Sequence, residues 1–132
     1  MGRYVHCKET GDIVAKYWFA AQPSEQLRIA EELNIGDITY GEDHDVLTLN
    51  RRDLHELKEF LNRDDVKKVL ETGDELVKRL RDDDGGIPSY LYDVLVVWGK
   101  INDYFFYDLV RAYVEYMEQH PEIDTFSFDG EY

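Results

Sequence analysis

The stretch from Pro88 to His120 constrains the fold most, because no other segment is as rich in bulky apolar side chains. On a helix of about 100° per residue, one broad face of this stretch is apolar. That face comprises Leu91, Val94, Leu95, Trp98, Ile101, Phe105, Leu109, Ala112, Tyr113 and Tyr116. The opposite face mixes charged residues with Val96, Val97, Tyr104, Tyr107, Val110 and Val114. A helix that is apolar almost all round is expected to be buried on two sides, in its own domain or against another chain.

The ends of this predicted helix are marked by Pro88 and by the pair His120 and Pro121. Gly99 lies inside it, and an internal glycine costs about 1 kcal/mol relative to alanine and marks either close packing or a bend. The longest uninterrupted apolar run, Val94–Trp98, is far shorter than the ~20 residues that cross a bilayer. A transmembrane helix is therefore not predicted here.

Length and cysteine content set the class of protein. A chain of 132 residues is long enough to bury a core, and we expect one domain over residues 1–132. The single cysteine, Cys7, excludes an internal disulfide and favours a reducing compartment. The first residues lack the apolar segment of a signal peptide, so the cytoplasm is the expected location.

The net charge of −14 is the strongest global signal, and it is uneven along the chain. Residues 1–61 carry 7 basic and 12 acidic groups, residues 62–87 carry 6 and 8, and residues 88–132 carry 2 and 9. The most aromatic third is thus also the most acidic. Such a field repels nucleic acids and anionic membranes and attracts basic proteins, although acidity can also serve solubility alone.

Short runs of β-forming residues predict two hairpins. Arg3–Glu9 and Ile13–Ala20 form the first, with Val5 and Cys7 on one face. In the second strand, Ile13, Ala15, Tyr17 and Phe19 are expected to face the core. Asp37–Tyr40 and Asp45–Leu49 form the second. Near the C-terminus, Phe126 and Phe128 alternate as in a strand, and the alternative is an acidic tail that folds on a partner.

Three further segments have helical periodicity. The first runs over residues 24–34, and the second runs from Arg51 to Leu61 behind Asn50 as its N-cap. The third runs from Asp64 to about Arg81, and at Gly73 it is expected either to continue or to divide into two helices.

No motif for catalysis, metal binding or phosphate binding occurs. The turn Gly41–Asp45 contains adjacent oxygen and nitrogen donors, but it lacks the spacing of a calcium loop and the two histidines typical of zinc. The run Asp82–Gly86 also fails the calcium-loop spacing. We therefore predict no metal, no cofactor and no catalytic residue.

Together these patterns predict an α+β fold, in which a small antiparallel sheet of two N-terminal hairpins, with or without a C-terminal strand, packs against three or four helices around a central C-terminal helix. The favoured function is non-catalytic binding of a basic protein, as in inhibitor, immunity or nucleic-acid-mimicking proteins. The residues predicted to contact that partner are Asp93, Asp103, Tyr104, Tyr107, Asp108, Glu115 and Glu118.

Two alternatives remain open on the sequence alone. In the first, a structural homodimer forms through the back of the long helix, at Val96, Tyr104, Tyr107, Val110 and Val114, and acidity serves only solubility. In the second, a small enzyme or ligand-binding protein uses a tyrosine-lined pocket with carboxylates from Asp93, Asp103 or Asp108.

Overall fold

The computed structural model describes residues 3–17, 25–80 and 97–131. Its strands are β1 (Arg3–Cys7), β2 (Ile13–Tyr17), β3 (Asp37–Gly41), β4 (His44–Asn50) and β5 (Thr125–Glu131). Its helices are α1 (Glu25–Leu33), α2 (Leu54–Leu61), α3 (Asp64–Leu80) and α4 (Ile101–Gln119), and a 3₁₀ turn, Arg51–Asp53, precedes α2. The predicted α+β class is confirmed.

The five strands form one antiparallel sheet in the order β2-β1-β5-β4-β3. The predicted C-terminal strand is therefore confirmed, and it is the central strand. On one side β5 pairs with β1, with Val5 opposite Gly130. On the other side it pairs with β4, with Leu47 opposite Phe128. The two hairpins belong to one sheet because β5 lies between them.

One face of the sheet is covered by helices, and the alternation of side chains follows from the two-residue period of a strand. Phe126 and Phe128 of β5 are buried together with Leu47 and Leu49 of β4. The ring of Tyr113 on α4 stacks on Phe128 with centroids 3.9 Å apart and planes 7° apart. This contact fixes α4 against the centre of the sheet.

The other side of α4 is buried against the remaining helices. Phe106 packs on Phe60 of α2 with ring centroids 5.3 Å apart. Val110 and Val114, which lie on the side predicted to be a possible dimer surface, are buried. The predicted two-sided burial of this helix is confirmed, and it occurs inside the chain's own domain.

The long helix is not continuous from Pro88. Residues 97 and 98 are helical, the backbone leaves the helix at Gly99 with φ +79°, and α4 begins at Ile101. Only glycine adopts such a φ without steric cost, so the predicted bend is a break. Val97 is 86% exposed and is not part of a buried helix side. Residues 88–96 lie outside the described residues.

Gly73 does not divide α3, which continues without interruption from Asp64 to Leu80. Its role is close packing, since the ring of Tyr104 lies where a β-carbon at position 73 would be. Val66 and Leu70 on the same side of α3 are buried, as the sequence pattern indicates.

The first hairpin departs from the predicted pattern at β2. The register places Ala15 opposite Val5 but Ile13 opposite His6, because a bulge interrupts the pairing between these positions. Ile13 therefore lies on the face away from the helices and is 56% exposed, whereas Ala15 is buried. The expectation that both point to the core was wrong for Ile13.

Arg51 joins the end of α4 to the start of β5. Its guanidinium donates to the carbonyl of Met117 at 2.7 Å, to that of Ile123 at 2.7 Å, and to that of His120. These carbonyls lie in the last turn of α4 and in the four residues after it, and those of Met117 and His120 also accept from the backbone N–H groups of His120 and Ile123. The side chain thus sets the angle at which the chain turns from helix into the central strand.

Replacement of Gly73 by alanine is expected to destabilise the fold by about 1–3 kcal/mol, because the new methyl group overlaps the Tyr104 ring. In an uncrowded helix the same change would stabilise by about 1 kcal/mol. The sign measured by urea unfolding therefore separates the two cases. The neighbouring exposed Thr72→Ala variant is the control and should lie within about 0.5 kcal/mol of the native chain.

Candidate protein-interaction surface

The acidic side chains predicted on α4 are largely paired within the chain. The carboxylate of Asp103 lies 3.1 Å from the guanidinium of Arg28 on α1. The carboxylate of Glu118 lies 3.4 Å from the ammonium group of Lys58 on α2. Glu115 is exposed and has no ion pair with a described residue. Asp93 lies outside the described residues.

Two more of the predicted contact residues, Tyr104 and Asp108, belong to a polar cluster between α3 and α4. Arg111 bridges to Asp74 through two hydrogen bonds, of 2.8 and 2.9 Å. It also donates to Asp108 at 2.7 Å. The hydroxyl of Tyr104 donates to Asp74 at 2.7 Å, and this tyrosine is only 4% exposed. The cluster ties the two helices together and leaves the Tyr104 side chain inaccessible to a partner.

The electrostatics of this cluster follow from burial and from its two carboxylates. The hydrogen bond to Asp74 raises the pKa of Arg111, and Asp108 acts in the same direction. Burial raises the pKa of Tyr104 well above its ordinary value, and the hydrogen bond to Asp74 adds to this. Arg111 is therefore charged and Tyr104 is protonated at neutral pH.

Tyr107 is half-buried, and its ring meets that of Phe60 edge-on at 5.4 Å. Burial raises its pKa as well. With Tyr104, Val110 and Val114 buried, four of the five side chains proposed for a homodimer contribute to the core or are partly covered. The fifth, Val96, lies outside the described residues.

A second group of acidic residues lies on three adjacent strands, in segments that contain no basic side chain other than histidine. Residues 37–50 and 125–131, which contain β3, β4 and β5, hold no lysine or arginine. Their six acidic residues are Asp37, Glu42, Asp43, Asp45, Asp129 and Glu131. By contrast, residues 3–17 hold three basic and two acidic residues. The sheet is therefore electrostatically polarised across its width.

Five of these acids form what we call the acidic edge: Asp37, Glu42, Asp43, Asp129 and Glu131. All but Asp129 are exposed and have no hydrogen bond or ion pair with a described residue. The carboxylate of Asp129 lies 2.9 Å from Nδ1 of His44. Glu42 and Asp43 form the two-residue turn between β3 and β4, where Asp43 has φ +61°. Tyr40, next to this turn, is 65% exposed.

The sixth acid, Asp45, has a structural role. It is 1% exposed, and its carboxylate accepts a 2.6 Å hydrogen bond from the side-chain amide of Gln26 on α1. The amide oxygen of Gln26 in turn accepts from the Tyr113 hydroxyl at 2.5 Å. This buried network locks α1, α4 and β4 together and supports the strand next to the acidic edge.

The described side chains of the turn at Glu42 and Asp43 do not form a group of three or more possible metal ligands. Among the described residues, His55, Glu56 and Glu59 are the donors that come within 4.8 Å of one another, and all three are exposed on α2. A groove of about 330 Å³ is lined by Glu71, Thr72, Glu75 and Leu76 of α3. Its described lining contains none of the tyrosines or aspartates of the predicted ligand pocket.

The acidic edge is a feature that the sequence analysis missed. Its signal is the absence of lysine and arginine from residues 37–50, which is visible in the sequence. The signal is lost when charges are counted over the whole of residues 1–61, because that count includes the basic residues of the first hairpin and of the segments that contain α1 and α2. The contribution of β5 is not visible, since it depends on a pairing between distant segments.

Comparison of the chain with protein-family models, curated proteins and solved structures gives no match. Among the helices in the described ranges, none combines the length and the apolar character that crossing a membrane requires.

Loss of the Tyr104 hydroxyl in Tyr104→Phe is expected to cost about 1–2 kcal/mol at neutral pH, through the lost bond to Asp74. The pKa of Tyr104 is higher in the folded than in the unfolded chain, so this tyrosine's contribution is complete below about pH 9 and declines as the unfolded chain ionises around pH 10 and above. The variant should therefore lose less stability than the native chain between about pH 9 and 11.

Urea unfolding at several pH values measures this difference. Tyr40→Phe removes an exposed hydroxyl with no described partner and is the control, expected to lie within about 0.5 kcal/mol of the native chain at neutral pH. An identical decline in the native and Tyr104→Phe proteins above pH 9 would contradict the prediction.

Proposed function

We propose that this protein is a non-catalytic acidic module that binds a basic protein partner through the acidic edge. The observation that supports this proposal most is that exposed, unpaired acids are grouped on strands that contain no lysine or arginine. On α4, Asp103, Asp108 and Glu118 have cationic partners within the chain, whereas four exposed acids on the sheet have none. Charges that no internal group balances are available to a ligand.

The proposed surface suits a protein ligand in its chemistry. Negatively charged side chains on neighbouring strands produce an electrostatic field that attracts a cationic partner and raises its association rate. Tyr40 adds an exposed aromatic ring to the same strand, and tyrosine is enriched where protein interfaces derive their binding energy. Nucleic acids and anionic membranes would be repelled by the same field.

This role is consistent with an inhibitor, an immunity protein or a mimic of nucleic acid, which are the classes expected from the sequence. The cytoplasm is the compartment we propose, because Cys7 is a free thiol. A homodimer through α4 is less well supported, since Tyr104, Val110 and Val114 are buried within the chain.

The test neutralises the four exposed acids of the acidic edge in a variant with Asp37→Asn, Glu42→Gln, Asp43→Asn and Glu131→Gln. Native and variant proteins are immobilised and exposed to lysate of the source organism at low and high salt. Captured proteins are quantified by mass spectrometry. We expect the native protein to retain a basic protein at low salt and release it at high salt, because salt screens exposed charges. The variant should lose at least about 90% of this capture.

A control of equal charge neutralises four exposed acids elsewhere, in a variant with Glu56→Gln, Glu71→Gln, Glu115→Gln and Asp124→Asn. It should capture the basic protein nearly as well as the native chain. Equal losses in both variants would mean that net charge matters and the acidic edge does not. No salt-sensitive capture of a basic protein by the native chain would refute the proposal.

A further inference from the structure

β3 is an edge strand of the described sheet, since its pairing is with β4 alone. In an antiparallel pair, alternate residues direct their N–H and C=O groups toward the partner strand and away from it. The residues of β3 that point away from β4 therefore present backbone donors and acceptors at the rim of the sheet. Such a row of groups can pair with a further strand.

The two edges of the sheet differ in how well they resist such pairing. β2, at the opposite edge, is paired irregularly because of its bulge. A bulge is a feature that prevents addition of another strand. β3 has no bulge, and its pairing with β4 is regular at all five positions from Asp37 to Gly41. β3 is the edge that is suited to receive a strand.

The register also defines which side chains an added strand would meet. Ile38 and Tyr40 lie opposite Leu47 and Asp45, on the side of the sheet that the helices cover. Their neighbours Asp37 and Thr39 belong to the opposite side, because consecutive residues of a strand alternate. An incoming strand would thus find an apolar and aromatic strip on one side and acidic groups on the other and at the turn.

We propose, resting on the function proposed above, that the basic partner binds by adding an extended segment to β3, and that this segment alternates cationic and apolar residues. Its apolar side chains pack beside Ile38 and Tyr40, and its cationic side chains lie near Asp37 and the acidic turn. Backbone hydrogen bonds to β3 give affinity, and the alternation gives specificity.

A second copy of the chain is a poor occupant of this edge. Two β3 strands paired with each other would bring Asp37, Glu42 and Asp43 of one chain close to the same residues of the other, and like charges opposite one another destabilise a strand pair. A cationic strand reverses the sign of that interaction.

Two synthetic heptapeptides of equal charge test the proposal on the native protein. One alternates lysine and valine, and the other alternates lysine and proline and so cannot pair as a strand. Calorimetry at low salt measures the affinity of each peptide, and NMR measures amide exchange in β3. We expect the lysine–valine peptide to bind at least about tenfold tighter, since it alone can form a regular row of backbone hydrogen bonds with β3. We also expect exchange of alternate β3 amides to slow when it binds.

The outcomes separate this inference from the proposed function. If the two peptides bind with equal affinity, and if neutralising the acidic edge abolishes the binding of both, the proposal of strand addition is wrong. An interface based on charge alone would still stand. Absence of binding by either peptide would overturn both. If the β3 amides are protected without peptide and the protein sediments as a dimer, a second copy occupies the edge and the inference is wrong.

Discussion

The apolar surface of α4 has to be covered on two sides, and the arrangement of the other elements follows from this requirement. The sheet covers one side through the stacked rings of Tyr113 and Phe128, and α2 and α3 cover the other. Both contacts depend on small details of neighbouring elements. Gly73 gives the Tyr104 ring room on α3, and the break at Gly99 lets α4 begin at a point set by this packing.

Burial of α4 also determines which charges remain available. A helix packed on both sides lies close to neighbouring helices, so Asp103 pairs with Arg28 of α1. Asp108 pairs with Arg111 one turn further along α4 itself. Arg111 and Asp74 join α4 to α3 and remain partly exposed. On β3 and in the turn after it, Asp37, Glu42 and Asp43 have no ion pair with a described residue. Three of the four acids on α4 are thus balanced within the chain, whereas Asp37, Glu42, Asp43 and Glu131 have no ion pair with a described residue.

The fold class could be predicted because it depends on local periodicity. The helical stripe of α4 and the alternating Phe126 and Phe128 indicate their elements without reference to the rest of the chain. The bulge that exposes Ile13 could not be predicted, since it is a property of the pairing between two strands. Which acidic residues of the helices have partners within the chain could not be predicted for a similar reason. The contact between Asp74 and Arg111 joins residues far apart in sequence, and no local pattern indicates that these charges cancel.

The position of β5 has a consequence for how the chain folds. This strand follows every other described element in sequence but lies at the centre of the sheet. During synthesis, at about 5–20 residues per second, both hairpins leave the ribosome several seconds before the strand that joins them. Until then β1 and β4 each have an open edge beside apolar residues such as Val5 and Leu47. Long-range pairing of this kind forms late and slowly, and the like charges on the second hairpin oppose its association with other nascent chains.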